Sequence, residues 1–252
     1  MKRWPFTVLL LALFVGIWQF VASLPGVDKL ILSSPAETAR ALVHDRSLLL
    51  HNAGVTLEEI LLGLAIAIAL GAGVAVGMHL LRPLRDAAYP LLVASQAIPI
   101  VVIAPLLVLA FDYGIGPKIA IVALVCFFPI TVNLLDGLRA TDPELLKLMR
   151  SLGASRAQTL RKVELPACLP HLFSGLRVAA TVSVIGAVFG EAAGAEDGLG
   201  RLVQLGAQQL ETPRTYAGVV LLTVMAVALF TIVTVVERLA VPWNRRRGGS
   251  TA

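Results

Sequence analysis

Charged residues are scarce in this sequence. Asp, Glu, Lys and Arg make up 15% of its 252 residues, and hydrophobic residues make up 57%. Because a soluble domain carries about 25% charged residues, these values exclude an ordinary soluble domain. Aromatic residues are also few, at 6%, so small and branched aliphatic side chains supply the hydrophobicity, as they do in packed membrane helices. The composition therefore predicts an integral membrane protein.

Residues for covalent, metal or nucleotide chemistry are also lacking. The two cysteines, Cys126 in an apolar run and Cys168 in a basic loop, should lie at different depths of a bilayer, so we expect no disulfide. No GxxxxGK[ST] phosphate loop occurs, so the chain should not bind ATP itself. His79 and His171 lie near predicted cytoplasmic ends of spans and are interpreted as snorkelling side chains. All four histidines are scattered and lack metal spacing. They are His44, His51, His79 and His171. We expect no catalytic residue, cofactor or metal.

Apolar segments recur along the chain and predict six membrane spans, since about 20 apolar residues cross a bilayer. All but the fifth, which contains Arg177, are free of Asp, Glu, Lys and Arg. The first segment is longer than the core of a signal peptide. We therefore favour an uncleaved span, although Val21-Ala22-Ser23 resembles a cleavage site. Pro99 and Pro105 should kink or break the third span. The predicted spans are 4–27, 60–81, 87–111, 119–135, 169–190 and 215–236.

The basic residues predict how these spans are oriented. If the N-terminus is cytoplasmic, most loop Lys and Arg residues fall on the cytoplasmic side, as the positive-inside rule requires. The basic residues on the cytoplasmic side include Lys2 and Arg3, those of the loop 139–162, and Arg245, Arg246 and Arg247 of the tail. Lys29 lies on the external side. The net charge of +5 could indicate nucleic acid, but the basic residues lie between apolar spans. We therefore expect both termini in the cytoplasm and no nucleic-acid partner.

The longest polar loop, between the fourth and fifth spans, begins with a helix. The run Thr141-Asp142-Pro143-Glu144 supplies a cap, a proline in the first turn and an early acid, which together are typical of a helix start. Apolar residues then recur at helical spacing and predict one apolar stripe on a short amphipathic helix. The stripe consists of Leu145, Leu148, Met149 and Leu152.

A second short helix should follow in the same loop. Gly153 ends the first helix, because glycine accepts the left-handed cap conformation. Ser155 and Gln158 form a capping box that starts the second helix, and Pro166 is expected to end it. Such a basic, amphipathic pair of helices fits two situations. It can rest on lipid headgroups, or it can dock into a soluble partner.

Gly153, followed after nine residues by Val163-Glu164-Leu165-Pro166, resembles the "EAA loop" of ABC importer permeases. Lys147-Leu148-Met149 stands where that family has the E-A-A triplet, and Glu144 lies one turn earlier. In the family this loop contains the coupling helix, which inserts into a groove of the cytoplasmic ATPase. The resemblance implies a set of ATPase-coupling residues in this chain. They are Glu144, Leu145, Leu148, Met149, Arg150, Leu152, Gly153, Ala154, Ser155 and Arg156.

Flanking segments resemble the same family. They include the Ser33-Ser34-Pro35 stretch, the IPIVVIAPL stretch around Pro99 and the glycine-rich segment after Glu191. The implied fold is all-α and membrane-embedded, with six transmembrane helices and a cytoplasmic coupling helix between spans 4 and 5. We expect residues 1–53 to form an N-terminal span and external segment, 54–240 the ABC-type transmembrane domain and 241–252 a basic tail.

The resemblance implies a permease subunit of a bacterial ABC importer in the inner membrane. Its implied partners are a dimer of ATPase subunits that binds ATP and Mg²⁺, a second permease copy or homologue, an extracytoplasmic solute-binding protein and lipid. The ending with Glu237-Arg238 and Pro242-Trp243 resembles members that import thiamine pyrimidine precursors or riboflavin-type heterocycles. The alternative solutes are aliphatic sulfonates, taurine and nitrate.

A few polar residues within the predicted spans are candidates for the solute pathway. Polar groups are costly in hydrocarbon and should face the bundle interior or a water-filled path. Interhelical hydrogen bonding explains most of the Ser and Thr residues, which leaves Gln96, Asn133 and Glu191 as pathway candidates. A secondary transporter driven by an ion gradient is the alternative from another class. It predicts acid–base pairs within the spans and internal repeats, and the sequence indicates neither.

Overall fold

A computed structural model describes residues 4–28 and 30–243 of the chain. Within these residues every regular element is helical and no strand occurs, which confirms the all-α prediction. Several basic residues used for the orientation lie outside the described residues, as does most of the expected tail 241–252. They are Lys2, Arg3, Lys29, Arg245, Arg246 and Arg247.

Five long helices within the described residues are apolar enough to cross a membrane, and a bent pair of shorter helices provides a sixth span. This agrees with the six spans predicted from the sequence, although most of the helices are longer than the apolar runs that identified them. The long helices are α1 (Trp4–Ala22), α3 (Arg46–Leu80), α6 (Ile115–Arg139), α9 (Leu165–Gly194) and α11 (Thr212–Ala240).

The bent pair consists of α4 (Arg82–Ser95) and α5 (Ile100–Phe111), whose axes differ by 101°. Pro99 lies at the break in an extended conformation and caps α5. The break therefore confirms the prediction for Pro99. Helix α5 continues through Pro105, so the second predicted interruption is not a break.

Short helices join the spans at both ends of the bundle. Capping boxes start two of them: Ser34 with Glu37 before α2, and Ser155 with Gln158 before α8. The box of Ser155 and Gln158 was predicted, because a capping box depends only on residues three positions apart. The short helices are α2 (Pro35–His44), α7 (Pro143–Ser151), α8 (Arg156–Thr159) and α10 (Leu199–Gln208).

The prediction that Pro166 ends the second helix of the loop was wrong. The chain remains helical from Arg156 to Gly194, through a π-type turn over Leu160–Glu164 in which the N–H of Leu165 donates to the carbonyl of Leu160. Pro166 follows in the first turn of α9. Pro166 thus lies just after the π-type turn, where the regular i→i−4 pattern of hydrogen bonds is already interrupted. Cys168 accordingly lies buried in α9 and not in a loop.

The core forms where α6 packs between α3 and α9, and glycines allow this close approach. A Cβ added at Gly175 of α9 would lie 2.6 Å from the carbonyl oxygen of Pro129 on α6. Helix α1 lies at the periphery, where the Trp18 indole donates to the Ser33 carbonyl at 2.9 Å and stacks on Tyr216. We call the end of the bundle with α7 and α8 the hairpin end, and the end with α2 and α10 the α10 end.

Candidate functional site

The α7–α8 hairpin presents an apolar stripe to its surroundings. Leu145, Leu148 and Leu152 are 45%, 52% and 72% exposed, whereas Met149 is half-buried. Asp142 caps α7 by accepting from the N–H of Glu144 at 2.9 Å. The four residues of the predicted stripe therefore do not all face the same way. Three leucines point outward on a helix that lies outside the membrane-length segments, and the methionine turns toward the protein.

The turn between the two helices is a Schellman motif. Gly153 adopts φ +73°, and the N–H of Ala154 donates to the carbonyl of Met149 at 2.9 Å. The N–H of Gly153 donates in turn to the carbonyl of Arg150 at 3.0 Å. This pattern closes the end of a helix and favours glycine at the left-handed position. The motif confirms that Gly153 ends the first helix. The side chains of Arg150, Ser155 and Arg156 around this turn are exposed.

A buried ionic cluster joins this hairpin to the last turn of α3. The Glu164 side chain is fully buried, and its Oε2 lies 3.0 Å from Nε2 of His79. The Arg156 Nη1 atom lies 3.6 Å from the other carboxylate oxygen. The sequence interpretation of His79 as a snorkelling side chain was therefore wrong, since only 10% of this side chain is exposed. Sequence spacing gave no signal for the contact between His79 and Glu164, because these residues are 85 positions apart.

A second polar network lies at the α10 end and centres on Glu191, which is fully buried. Its carboxylate accepts from the Thr56 hydroxyl at 2.6 Å and from the N–H of Gly200 in the first turn of α10. Asn52 Oδ1 accepts from the N–H of Gly198 at 2.6 Å. These bonds satisfy N–H groups that a helix start leaves free, and a carboxylate there also matches the helix dipole. The network therefore fixes the start of α10 on α3 and α9.

An acid–base pair lies beside this network. Lys118 Nζ on α6 is 2.8 Å from Glu59 Oε1 on α3, and the Glu59 side chain has no exposed surface. The expectation of no acid–base pair within the spans was therefore wrong. The predicted spans 60–81 and 119–135 begin directly after Glu59 and Lys118, whereas α3 and α6 also contain these two residues.

The three predicted pathway residues have separate surroundings. Gln96 is exposed at the break between α4 and α5, 3.5 Å from the Ser95 hydroxyl. Asn133 is half-buried on α6, and its amide donates to the carbonyl of Pro129 at 2.7 Å. Glu191 belongs to the network at the α10 end. In the part of the chain that the structure describes, no group of three His, Cys, Asp or Glu residues could hold a metal ion.

Long apolar helices around a tightly packed core, with a polar helical hairpin between two spans, define a multi-pass membrane permease of the type I ABC importer class. The chain belongs to the family of binding-protein-dependent transport system inner membrane components, whose sequence profile matches residues 65–246. The family prediction, and with it the fold class, is confirmed.

Individual relatives support this assignment. The chain is 35% identical over 241 residues to the formylaminopyrimidine transport permease protein ThiX of Halalkalibacterium halodurans, covering 96% of each chain. It is 35% identical to the riboflavin transport system permease protein RibX of Chloroflexus aurantiacus, covering 95% of this chain and 89% of RibX. It is 30% identical to the taurine transport system permease protein TauC of Escherichia coli K12, covering 96% of this chain and 93% of TauC.

The fold is also found among solved structures. An inward-facing structure of the MetNI methionine ABC transporter superposes with a TM-score of 0.70 over 78% of this chain and 97% of the other. The identity is 20%, so this likeness concerns the fold alone.

Proposed function

We propose that the α7–α8 hairpin is the site at which an ATPase subunit docks on this permease. The observation that carries the proposal is the stripe of Leu145, Leu148 and Leu152, which is exposed on a short amphipathic helix outside the spans. Helices of this kind bind by placing their apolar face in a groove of a partner. Arg150 and Arg156, exposed beside the stripe, would contact acidic residues at the edge of that groove.

Membership of the permease family supports the remaining partners that we propose. The hairpin end faces the cytoplasm, where an ATPase dimer binds ATP and Mg²⁺, and both termini lie on the same side. A second permease copy or a homologue completes the pathway, and an extracytoplasmic binding protein delivers the solute at the α10 end. Gln96, Asn133 and Glu191 remain our proposed pathway residues.

For the solute, we propose a pyrimidine precursor of thiamine or a similar heterocycle. The names of ThiX and RibX, both 35% identical to this chain, support this choice. Taurine, aliphatic sulfonates and nitrate are the alternatives, and the 30% identity to TauC supports taurine. Uptake of formylaminopyrimidine, riboflavin and taurine by cells that express the complete transporter would separate these possibilities. Uptake that persists after ATP depletion with an intact ion gradient would contradict an ABC importer.

Two substitutions test the docking site. Leu148→Glu places a charge in the centre of the stripe, and Gly153→Asp strains the turn at φ +73°. Both variants should reach the membrane in normal amounts, and both should lose co-purification of the ATPase. Val43→Glu is the matched control, because Val43 is 71% exposed on the short helix α2 at the other end. This control should retain the ATPase.

The two explanations of the stripe predict different results. If α7 only rests on lipid headgroups, Leu148→Glu weakens its membrane contact but leaves the ATPase bound. Co-purification that survives both hairpin substitutions would therefore contradict the docking site.

A further inference from the structure

The ionic cluster at the hairpin end connects two parts of the chain that are far apart in sequence. Arg156 belongs to α8 of the hairpin, whereas His79 lies in the last turn of α3. Glu164 lies between them with no exposed surface, and it contacts both side chains. A carboxylate is costly to bury unless charges and hydrogen-bond donors compensate it. The position of Glu164 therefore depends on His79 and Arg156 together.

The geometry also assigns the hydrogen-bond roles. Nε2 of His79 lies 3.0 Å from Glu164 Oε2 and 3.3 Å from Nη2 of Arg156. A ring nitrogen that carries a proton donates and cannot also accept. Because a buried carboxylate requires a donor, Nε2 carries the proton and donates to Glu164. Arg156 then acts through its charge on the second carboxylate oxygen.

The backbone around Glu164 has an unusual conformation. The π-type turn over Leu160–Glu164 ends at this residue. Such a turn holds one residue more than an α-helical turn, so it offsets the residues before it by about 100° around the helix axis. In this register Arg156 and Glu164 both reach His79. Single π-type turns within helices are frequent at functional sites.

Helix α3 reaches from this cluster to the opposite end of the bundle. Its 35 residues span about 50 Å at 1.5 Å per residue. Near its other end, Asn52 and Thr56 accept hydrogen bonds from the N–H groups of Gly198 and Leu199 at the start of α10. One rigid helix thus contacts the hairpin through His79 and contacts α10 through Asn52 and Thr56.

We propose that Glu164 is a positioning residue that fixes the α7–α8 hairpin to α3, so that α3 carries movements of the hairpin to the α10 end. The proposal rests on the proposed docking of the ATPase at this hairpin. The hairpin is covalently continuous with α6 and α9 but not with α3, and the Glu164 cluster supplies a connection to this third core helix. An ATPase that displaces the hairpin then moves α3 with it.

The distance between α3 and the hairpin tests this proposal. Spin labels are attached at Leu80→Cys, in the last turn of α3, and at Ser151→Cys, at the end of α7, since both positions are exposed. The native cysteines, Cys126 and Cys168, are replaced by alanine. Distances are measured in nanodiscs for the permease alone and for the complex with its ATPase, without nucleotide and after trapping with ATP and vanadate.

With Glu164 present, the label distance should be narrowly distributed and the same in both nucleotide states. Glu164→Leu removes both contacts and leaves the His79 ring without the carboxylate that accepts from it. In this variant the distribution should broaden, and its mean should shift when ATP is trapped. Glu164→Gln retains an acceptor for His79 and loses only the ion pair with Arg156, so it should give an intermediate result. A residue that only stabilised the fold would not make the distance depend on nucleotide.

Glu196→Leu is the matched control, because Glu196 is an exposed acid at the α10 end, and it should leave the distance unchanged. If Glu164→Leu gives the same narrow distribution as the unmodified chain in both nucleotide states, the positioning role is refuted. If the ATPase does not bind the permease that retains Glu164, the proposed docking function is contradicted instead. In that case the permease alone still shows whether Glu164 fixes the hairpin to α3.

Discussion

Lys118 and Glu59 form an ion pair of 2.8 Å inside the helix bundle, with the Glu59 side chain fully buried and the Lys118 side chain 10% exposed. They connect α6 to α3 beside the Glu191 network, so three ionisable side chains lie within one region of the α10 end. An ion pair of this kind is costly to separate, because the remaining charge stays in an environment of low dielectric constant.

Lys118→Met should destabilise the protein strongly, by about 3–5 kcal/mol, because it leaves the Glu59 carboxylate without its cation. Thermal unfolding of the purified permease in detergent should show a clearly lowered midpoint. The double variant Glu59→Leu, Lys118→Met replaces the pair with apolar side chains and should recover much of this loss. A double variant that is no more stable than Lys118→Met would contradict the buried pair.

Gly198→Ala should disturb the start of α10. Gly198 has φ +127°, and an added Cβ would overlap the Glu191 carboxylate. Gly26→Ala is the matched control, because Gly26 also has a positive φ, of +108°, but has no atom within 4 Å of an added Cβ. Both substitutions carry backbone strain of about 1–3 kcal/mol, and only Gly198→Ala adds a steric overlap. The melting midpoint should therefore fall further for Gly198→Ala, and equal losses would contradict this packing.

Gly175→Ala should separate α9 from α6. The added Cβ would lie 2.6 Å from the carbonyl oxygen of Pro129, a backbone atom that cannot move aside alone. Gly73→Ala on α3 has open space around the new methyl group. Alanine is a better helix former than glycine by about 1 kcal/mol, so Gly73→Ala should be neutral or stabilising. Opposite shifts of the melting midpoint would support the close contact, and a neutral Gly175→Ala would contradict it.

The sequence predicted those parts of the structure that depend on neighbouring residues. The capping box of Ser155 and the helix end at Gly153 each involve residues within a few positions. The number of spans followed from apolar runs of the right length. The family followed from the motif spacing between Gly153 and Pro166, which is likewise a local feature of the chain. The roles assigned to the hairpin stripe and to Gln96, Asn133 and Glu191 remain predictions.

The long-range ionic contacts could not be predicted, because they depend on how distant helices pack. Glu59 and Lys118 were interpreted as ends of spans, since an isolated charge is costly in a membrane. Each supplies the opposite charge for the other, so both helices continue through these residues. Glu164 and His79 likewise meet across 85 residues. Pro166 was misread because the sequence did not indicate the π-type turn that precedes it.

The proposed orientation predicts that the two ends of the bundle react differently with an impermeant maleimide. Val43→Cys on α2 and Leu152→Cys on the hairpin are suitable probes, because they are almost equally exposed, at 71% and 72%. In a background without Cys126 and Cys168, intact spheroplasts should be labelled at position 43 only. Permeabilised spheroplasts should be labelled at both positions, which shows that each thiol can react. Labelling of position 152 in intact spheroplasts would place the hairpin outside the cell, where no ATPase can bind it.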